Sequence, residues 1–97
     1  MNKRLAIIGS SDLGQLIAHH AAQLSEFTVV GYYDDYRSTS EFIEGIPVLG
    51  KIKQLRVDFS NGVFDELMVG IGYNHMAFRQ SVFAEFCKDI QIGRAHV

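Results

Sequence analysis

The feature that most constrains the fold of this chain is the junction Gly9-Ser10-Ser11-Asp12-Leu13-Gly14. It joins an apolar run over 3–8 to a segment whose apolar residues recur at helical spacing. A short unbroken apolar run suits a strand buried on both faces, as in a parallel sheet. The junction has the form G-x-S-x-x-G, a variant of the dinucleotide fingerprint. In that arrangement Gly9 permits the tight turn and Gly14 lets the helix approach the strand. The free N–H groups and positive dipole end of the helix then face a phosphate. Ser11 stands where the fingerprint has its second glycine, which restricts approach of a pyrophosphate, while the Ser10 and Ser11 hydroxyls offer donors. A turn made glycine-rich for purely geometric reasons uses the same residues, so the loop alone leaves both readings open.

The rest of the chain extends the pattern. Ser11 or Asp12 is placed to cap a helix reaching about residue 24, with Leu13, Leu16, Ile17, Ala21 and Leu24 on one face. The β-branched and aromatic stretch 28–33 reads as a second strand, closed by Asp34-Asp35. Residues 37–44 are polar and loop-like. Gly45-Ile46-Pro47-Val48-Leu49-Gly50 reads as a short extended piece in which Pro47 favours an edge or a strand start. Residues 51–56 suit a short helix, 66–71 a third strand, and 75–88 a helix with Phe78, Val82, Phe83, Phe86 and Cys87 along one buried face. Strands alternating with helices predict parallel βαβ units with right-handed crossovers. The expected fold is α/β, a Rossmann-like, doubly wound parallel sheet forming one domain over 1–90.

Composition excludes several function classes. Nine Lys+Arg against eleven Asp+Glu give a net charge of -2, which argues against a nucleic-acid partner. No apolar run approaches the roughly 18 residues of a membrane span, and the opening segment is too short for a secretory signal. The single cysteine supports neither an internal disulfide nor a multi-thiolate metal site. These points predict a cytoplasmic location, no membrane association and no metal. The last six residues, Ile92-Gly93-Arg94-Ala95-His96-Val97, match the translation of one frame of a common sequencing adapter. Residues 91–97 are therefore expected to be read-through, and the chain to be the front of a longer protein truncated before a partner domain. A parallel sheet of this size alone is expected to be marginally stable, and Ile90 to lead into another strand.

In doubly wound sheets, ligands sit beyond the carboxyl ends of the strands where strand order reverses. Three segments map to that edge: Gly9, Ser10, Ser11 and Gly14; Asp34 and Asp35, twenty residues beyond Gly14; and Gly70-Ile71-Gly72-Tyr73-Asn74. A carboxylate at the second strand end commonly accepts ribose hydroxyls, although aspartates also serve turns through local hydrogen bonds. Tyr32, Tyr33 and Tyr36 offer an aromatic wall, with Tyr32 and Tyr33 better explained by strand packing. Asn74 suits a helix cap equally well. His19 and His20 have no partner cluster, His75 at a helix start near the third segment is a minor candidate, and Cys87 reads as a small buried apolar residue. No nucleophile triad, metalloprotease or P-loop pattern occurs.

Taken together, Lys3-Arg4-Leu5-Ala6-Ile7-Ile8-Gly9 with Gly14, Val30-Gly31-Tyr32-Tyr33-Asp34-Asp35, Gly45-Ile46-Pro47-Val48-Leu49-Gly50 and Val69-Gly70-Ile71-Gly72-Tyr73-Asn74 resemble one family in order and spacing. It is the NeuD/PglD-type sugar O- or N-acyltransferase family, and the resemblance runs from about Lys3 to Ile90. It implies a nucleotide-sugar-binding N-terminal domain followed by a left-handed β-helix of hexapeptide repeats. That second domain binds acetyl-CoA as co-substrate, assembles a homotrimer and carries the catalytic histidine. The fragment itself would then bind no cofactor and be inactive. The resemblance also implies phosphate contacts from Gly9, Ser10, Ser11 and Gly14, and base or ribose contacts from Asp34 and Asp35. Gly72 and Asn74 would line the cleft for a UDP- or CMP-linked sugar. Ser11 and the region of Leu13 depart from many members, so loop contacts differ there. The residues also suit the cofactor domain of an NAD(P)-dependent oxidoreductase, or a non-catalytic ligand-sensing module.

Overall fold

The computed structural model describes residues 2–72, 75–86, 90 and 92–93. Tyr73, Asn74 and Cys87 lie outside the described residues. The chain forms β1 (Lys3–Ile8), α1 (Asp12–Ala22), β2 (Phe27–Tyr33), β3 (Phe42–Ile43) and β4 (Ile46–Gly50). A 3₁₀ turn over Ile52–Gln54 then runs into α2 (Leu55–Ser60), followed by β5 (Glu66–Val69), α3 (Met76–Phe86) and β6 (Ile92–Gly93). The sheet order is β3-β4-β2-β1-β5-β6, parallel at every pairing except β3 with β4. This is the doubly wound, Rossmann-like α/β fold expected from the strand–helix alternation.

Alternation along β1 builds two cores. Leu5 and Ile7 point to the α1 face, where they meet Ile17, Ala18, Ala21 and Tyr32. Ala6 and Ile8 point to the other face, where Tyr33, Leu55, Phe64, Val82 and Phe86 pack. A central strand covered on both sides must be apolar at consecutive positions, which is why 5–8 shows no polar residue. Adjacent Tyr32 and Tyr33 are likewise both buried, one on each face. Lys3 pairs with Glu66 and Arg4 with Asp65 at the opposite end of the sheet, each at 2.9 Å.

The structure departs from expectation at four places. The polar stretch 37–44 contains a strand, β3, which forms a hairpin with β4. Glu44 and Gly45 form its two-residue turn with φ values of 50° and 83°, the positive angles that match the strand twist. Pro47 is the second residue of β4 and therefore does sit near a strand start. Leu16 and Leu24 are exposed: α1 presents Ile17, Ala18 and Ala21 to the sheet and ends before Leu24. Phe78, expected in the core, is 44% exposed while Val82 and Phe86 are buried. Ser11 occupies the cap position of α1, but its side chain makes no capping hydrogen bond.

Candidate functional site

The chain passes from β1 to β2 on one side, whereas β5 pairs with β1 on the other, so strand order reverses around β1. A cleft of about 630 Å³ opens there, beyond the carboxyl ends of β1, β2 and β5. Close backbone packing shapes its floor. Gly9 has φ +92°, and its N–H donates to the Tyr33 carbonyl at 2.8 Å. A Cβ on Gly14 would fall 2.0 Å from the Gly9 carbonyl oxygen, and one on Gly70 would fall 2.6 Å from the Gly14 Cα. The helix start, the turn and the end of β5 therefore touch backbone to backbone.

Ser10 and Asp34 hold this arrangement together. Ser10 is fully buried, and its hydroxyl and N–H both donate to Asp34 Oδ2, at 2.6 and 3.0 Å. Asp34 Oδ1 accepts the Tyr36 N–H at 2.9 Å. Burial opposes the charge on Asp34, yet the bonds from Ser10 and Tyr36 outweigh it and hold the carboxyl below its ordinary pKa. The Gln15 amide donates to the Ser10 carbonyl at 2.9 Å. Ser10 and Asp34 thus tie the glycine loop to the end of β2. The Ser10 hydroxyl faces this carboxylate and not the cleft wall.

The wall itself is formed differently from the sequence expectation. Ser11, Asp12 and Leu13 line it at the start of α1, where the first helical N–H groups lack intrahelical partners. Asp35 lines it with an exposed carboxylate whose Oδ1 accepts the Ile52 N–H at 2.9 Å, and Lys51 Nζ donates to the Asp35 carbonyl at 2.9 Å. Asp35 therefore fixes the 3₁₀ turn from outside. Gly72 lines the cleft with open space where a Cβ would stand. Gly14 supports the floor without reaching the wall, and Asn74 lies outside the described residues. Of the tyrosines, Tyr36 is 94% exposed on the wall. Tyr33 lines the base of the cleft and donates its hydroxyl to Asp58 Oδ2 at 2.6 Å. Burial and that bond push its phenol far above the usual range.

Three apolar lining residues, Ile8, Ile52 and Phe78, were not singled out as site residues from the sequence. Ile8 ends β1 and Ile52 stands two residues past the end of β4, so their places at strand ends were the available signal. Among the described residues, no group of three His, Cys, Asp or Glu side chains is arranged to hold a metal. None of their helices is long and apolar enough to cross a membrane. The cleft offers N–H donors for an anion at the start of α1, carboxylates for hydroxyl donors at the end of β2, and apolar walls. Those are the components of recognition.

The PglD N-terminal domain matches residues 4–86 of the chain. The chain belongs to the PglD N-terminal domain family. Among solved structures, this PglD N-terminal domain is similar to UDP-D-quinovosamine 4-dehydrogenase from Vibrio fischeri. That match has 16% identity and a TM-score of 0.84, and covers 99% of this chain and 80% of the other. The acetyltransferase domain of PglB from Neisseria gonorrhoeae FA1090 matches at 28% identity with a TM-score of 0.73. It covers 90% of this chain, which spans 40% of that domain. The same PglB domain in complex with acetyl coenzyme A matches at 25% identity, with a TM-score of 0.69 and coverage of 91% and 40%. No curated protein matches the chain.

Proposed function

We propose that this PglD N-terminal domain is the substrate-binding part of an acetyl-CoA-dependent sugar O- or N-acetyltransferase, holding a UDP- or CMP-linked sugar in the switch-point cleft. The observation that carries the reading is the uncapped start of α1, whose N–H groups open onto a cleft bounded by Ser11, Asp12 and Leu13. A phosphate placed there meets backbone donors and the positive helix end together. The Asp35 carboxylate then accepts a ribose hydroxyl or an edge of the base. Membership of the PglD family and the likeness to the PglB acetyltransferase domain support the acetyl-transfer assignment. The dehydrogenase of similar fold takes its name from a UDP-linked sugar. In this reading the acetyl donor, the proton acceptor and the trimer contacts belong to a following domain, residues 91–97 are not native, and the protein works in the cytoplasm without nucleic acid.

Both Asp34 oxygens already accept protein donors, which leaves the exposed Asp35 carboxylate to meet a ribose hydroxyl whether the ligand is a nucleotide sugar or NAD. Calorimetric titration with UDP, CMP, NAD and NADP separates the two assignments. UDP or CMP is expected to bind at least about tenfold more tightly than either dinucleotide, a difference of about 1.4 kcal/mol. Preferential binding of NAD or NADP would transfer the domain to the oxidoreductase class.

A further inference from the structure

We propose that Phe78 is the wall on which the planar base of the bound nucleotide stacks, an inference that rests on the reading of the cleft as a nucleotide site. Phe78, Val82 and Phe86 follow one another at four-residue intervals along one stripe of α3. Val82 and Phe86 are 3% and 2% exposed, whereas Phe78 is 44% exposed. The stripe is continuous, but its first ring lines the cleft. Phe78, Ile52 and Asp35 line both the main cleft and a second cavity of about 500 Å³.

The direction of the ligand follows from the two faces of the sheet. Helix α1 packs on one face and α3 on the other. A diphosphate at the start of α1 lies on the α1 side. A nucleoside that crosses the carboxyl edge of the sheet brings its base to the α3 side, where Phe78 stands. An aromatic ring beside an open cavity gains from stacking on any base, because every base has a π-face. Lys51, Lys53, Ser81 and Glu85 line the second cavity and supply polar groups for the base edge. Phe78 is in this account a positioning residue for the nucleoside, with no part in the chemistry of transfer.

The chain contains no tryptophan, so Phe78→Trp introduces a single indole at this wall. Titration with UDP is expected to quench its emission to saturation, whereas inorganic pyrophosphate, which has no base, leaves it unchanged. In calorimetry, Phe78→Ala is expected to weaken UDP binding roughly five- to hundredfold, with Phe78→Tyr close to the parent. Pyrophosphate affinity stays the same in all three. If the parent binds UDP and Phe78→Ala binds it equally well, with the indole silent, the stacking assignment is overturned while the nucleotide site stands. If the parent binds no UDP, both fall together.

Discussion

Replacing Gly14 by alanine is expected to lower the thermal midpoint of this domain by more than about 12 °C, or to remove its cooperative transition altogether. The new Cβ would lie 2.0 Å from the Gly9 carbonyl oxygen, and that atom belongs to backbone held from two further directions. Gly9 donates its N–H to Tyr33, and its own Cα side faces the Gly70 carbonyl, 2.8 Å from where a Cβ would stand. The turn therefore has nowhere to retreat, and α1 must lift from β1. Lifting it opens the core in which Ile17, Ala18 and Ala21 meet Leu5 and Ile7. Overpacking of this severity costs about 3 kcal/mol or more, and each kcal/mol shifts a domain of this size by about 4–8 °C. Gly72→Ala is the internal comparison, since nothing stands within 4 Å of its added methyl. Its melting curve by circular dichroism is expected to overlay that of the parent. A Gly14→Ala protein that melted alongside it would contradict the described contact between helix and turn.

The second large effect concerns Asp34. Asp34→Ala leaves the fully buried Ser10 with two donors lacking their acceptor, and frees the Tyr36 N–H as well. Each unsatisfied buried donor costs about 1–3 kcal/mol, so a loss of about 3 kcal/mol is expected in urea unfolding. The ionisation of Asp34 adds a pH signature. Its folded pKa lies below its ordinary value of 3.8 because the hydrogen bonds outweigh burial. A group whose pKa is depressed on folding contributes stability that is complete above the unfolded value and lost as pH falls through the folded one. The parent should therefore lose stability on acidification below about pH 4 more steeply than Asp34→Asn, whose side chain does not titrate. Asp65, lowered by its pairing with Arg4, titrates in both proteins and cancels in the comparison. Parallel stability curves for the two proteins would show that the Ser10–Asp34 bonds do not favour the ionised carboxyl.

The sequence made the parallel strands legible because burial on both faces demands consecutive apolar residues, as in Leu5–Ile8 and again in β5, where Leu67 and Val69 face one core and Met68 the other. Glycine placement was legible for the same kind of reason: backbone contact at Gly9 and Gly14 tolerates no side chain. The hairpin strand β3 was not, since its two residues follow a polar run and its turn uses Glu44 in place of the asparagine that advertises such turns. Phe78 shows a different limit. Helical periodicity identifies which side of α3 faces the sheet, but not which turn of the helix opens onto the cleft, and that decides whether a ring is core or cleft. Ser10 occupies an unspecified position of the G-x-S-x-x-G pattern, which says nothing about where its hydroxyl points. The buried carboxylate of Asp34, arriving from a separate strand, claims the hydroxyl.

In the proposed function, the start of α1 receives the phosphate of a pyrimidine nucleotide. The most direct test of that placement is residue-resolved NMR of the isotope-labelled chain during titration with UDP. Saturable shifts of the Ser11, Asp12 and Leu13 amides, accompanied by Gly72, are expected, while the amides of Lys3 and Arg4 at the opposite end of β1 stay in place. Unchanged spectra at saturating UDP, or shifts confined to surfaces away from the α1 start, would contradict it.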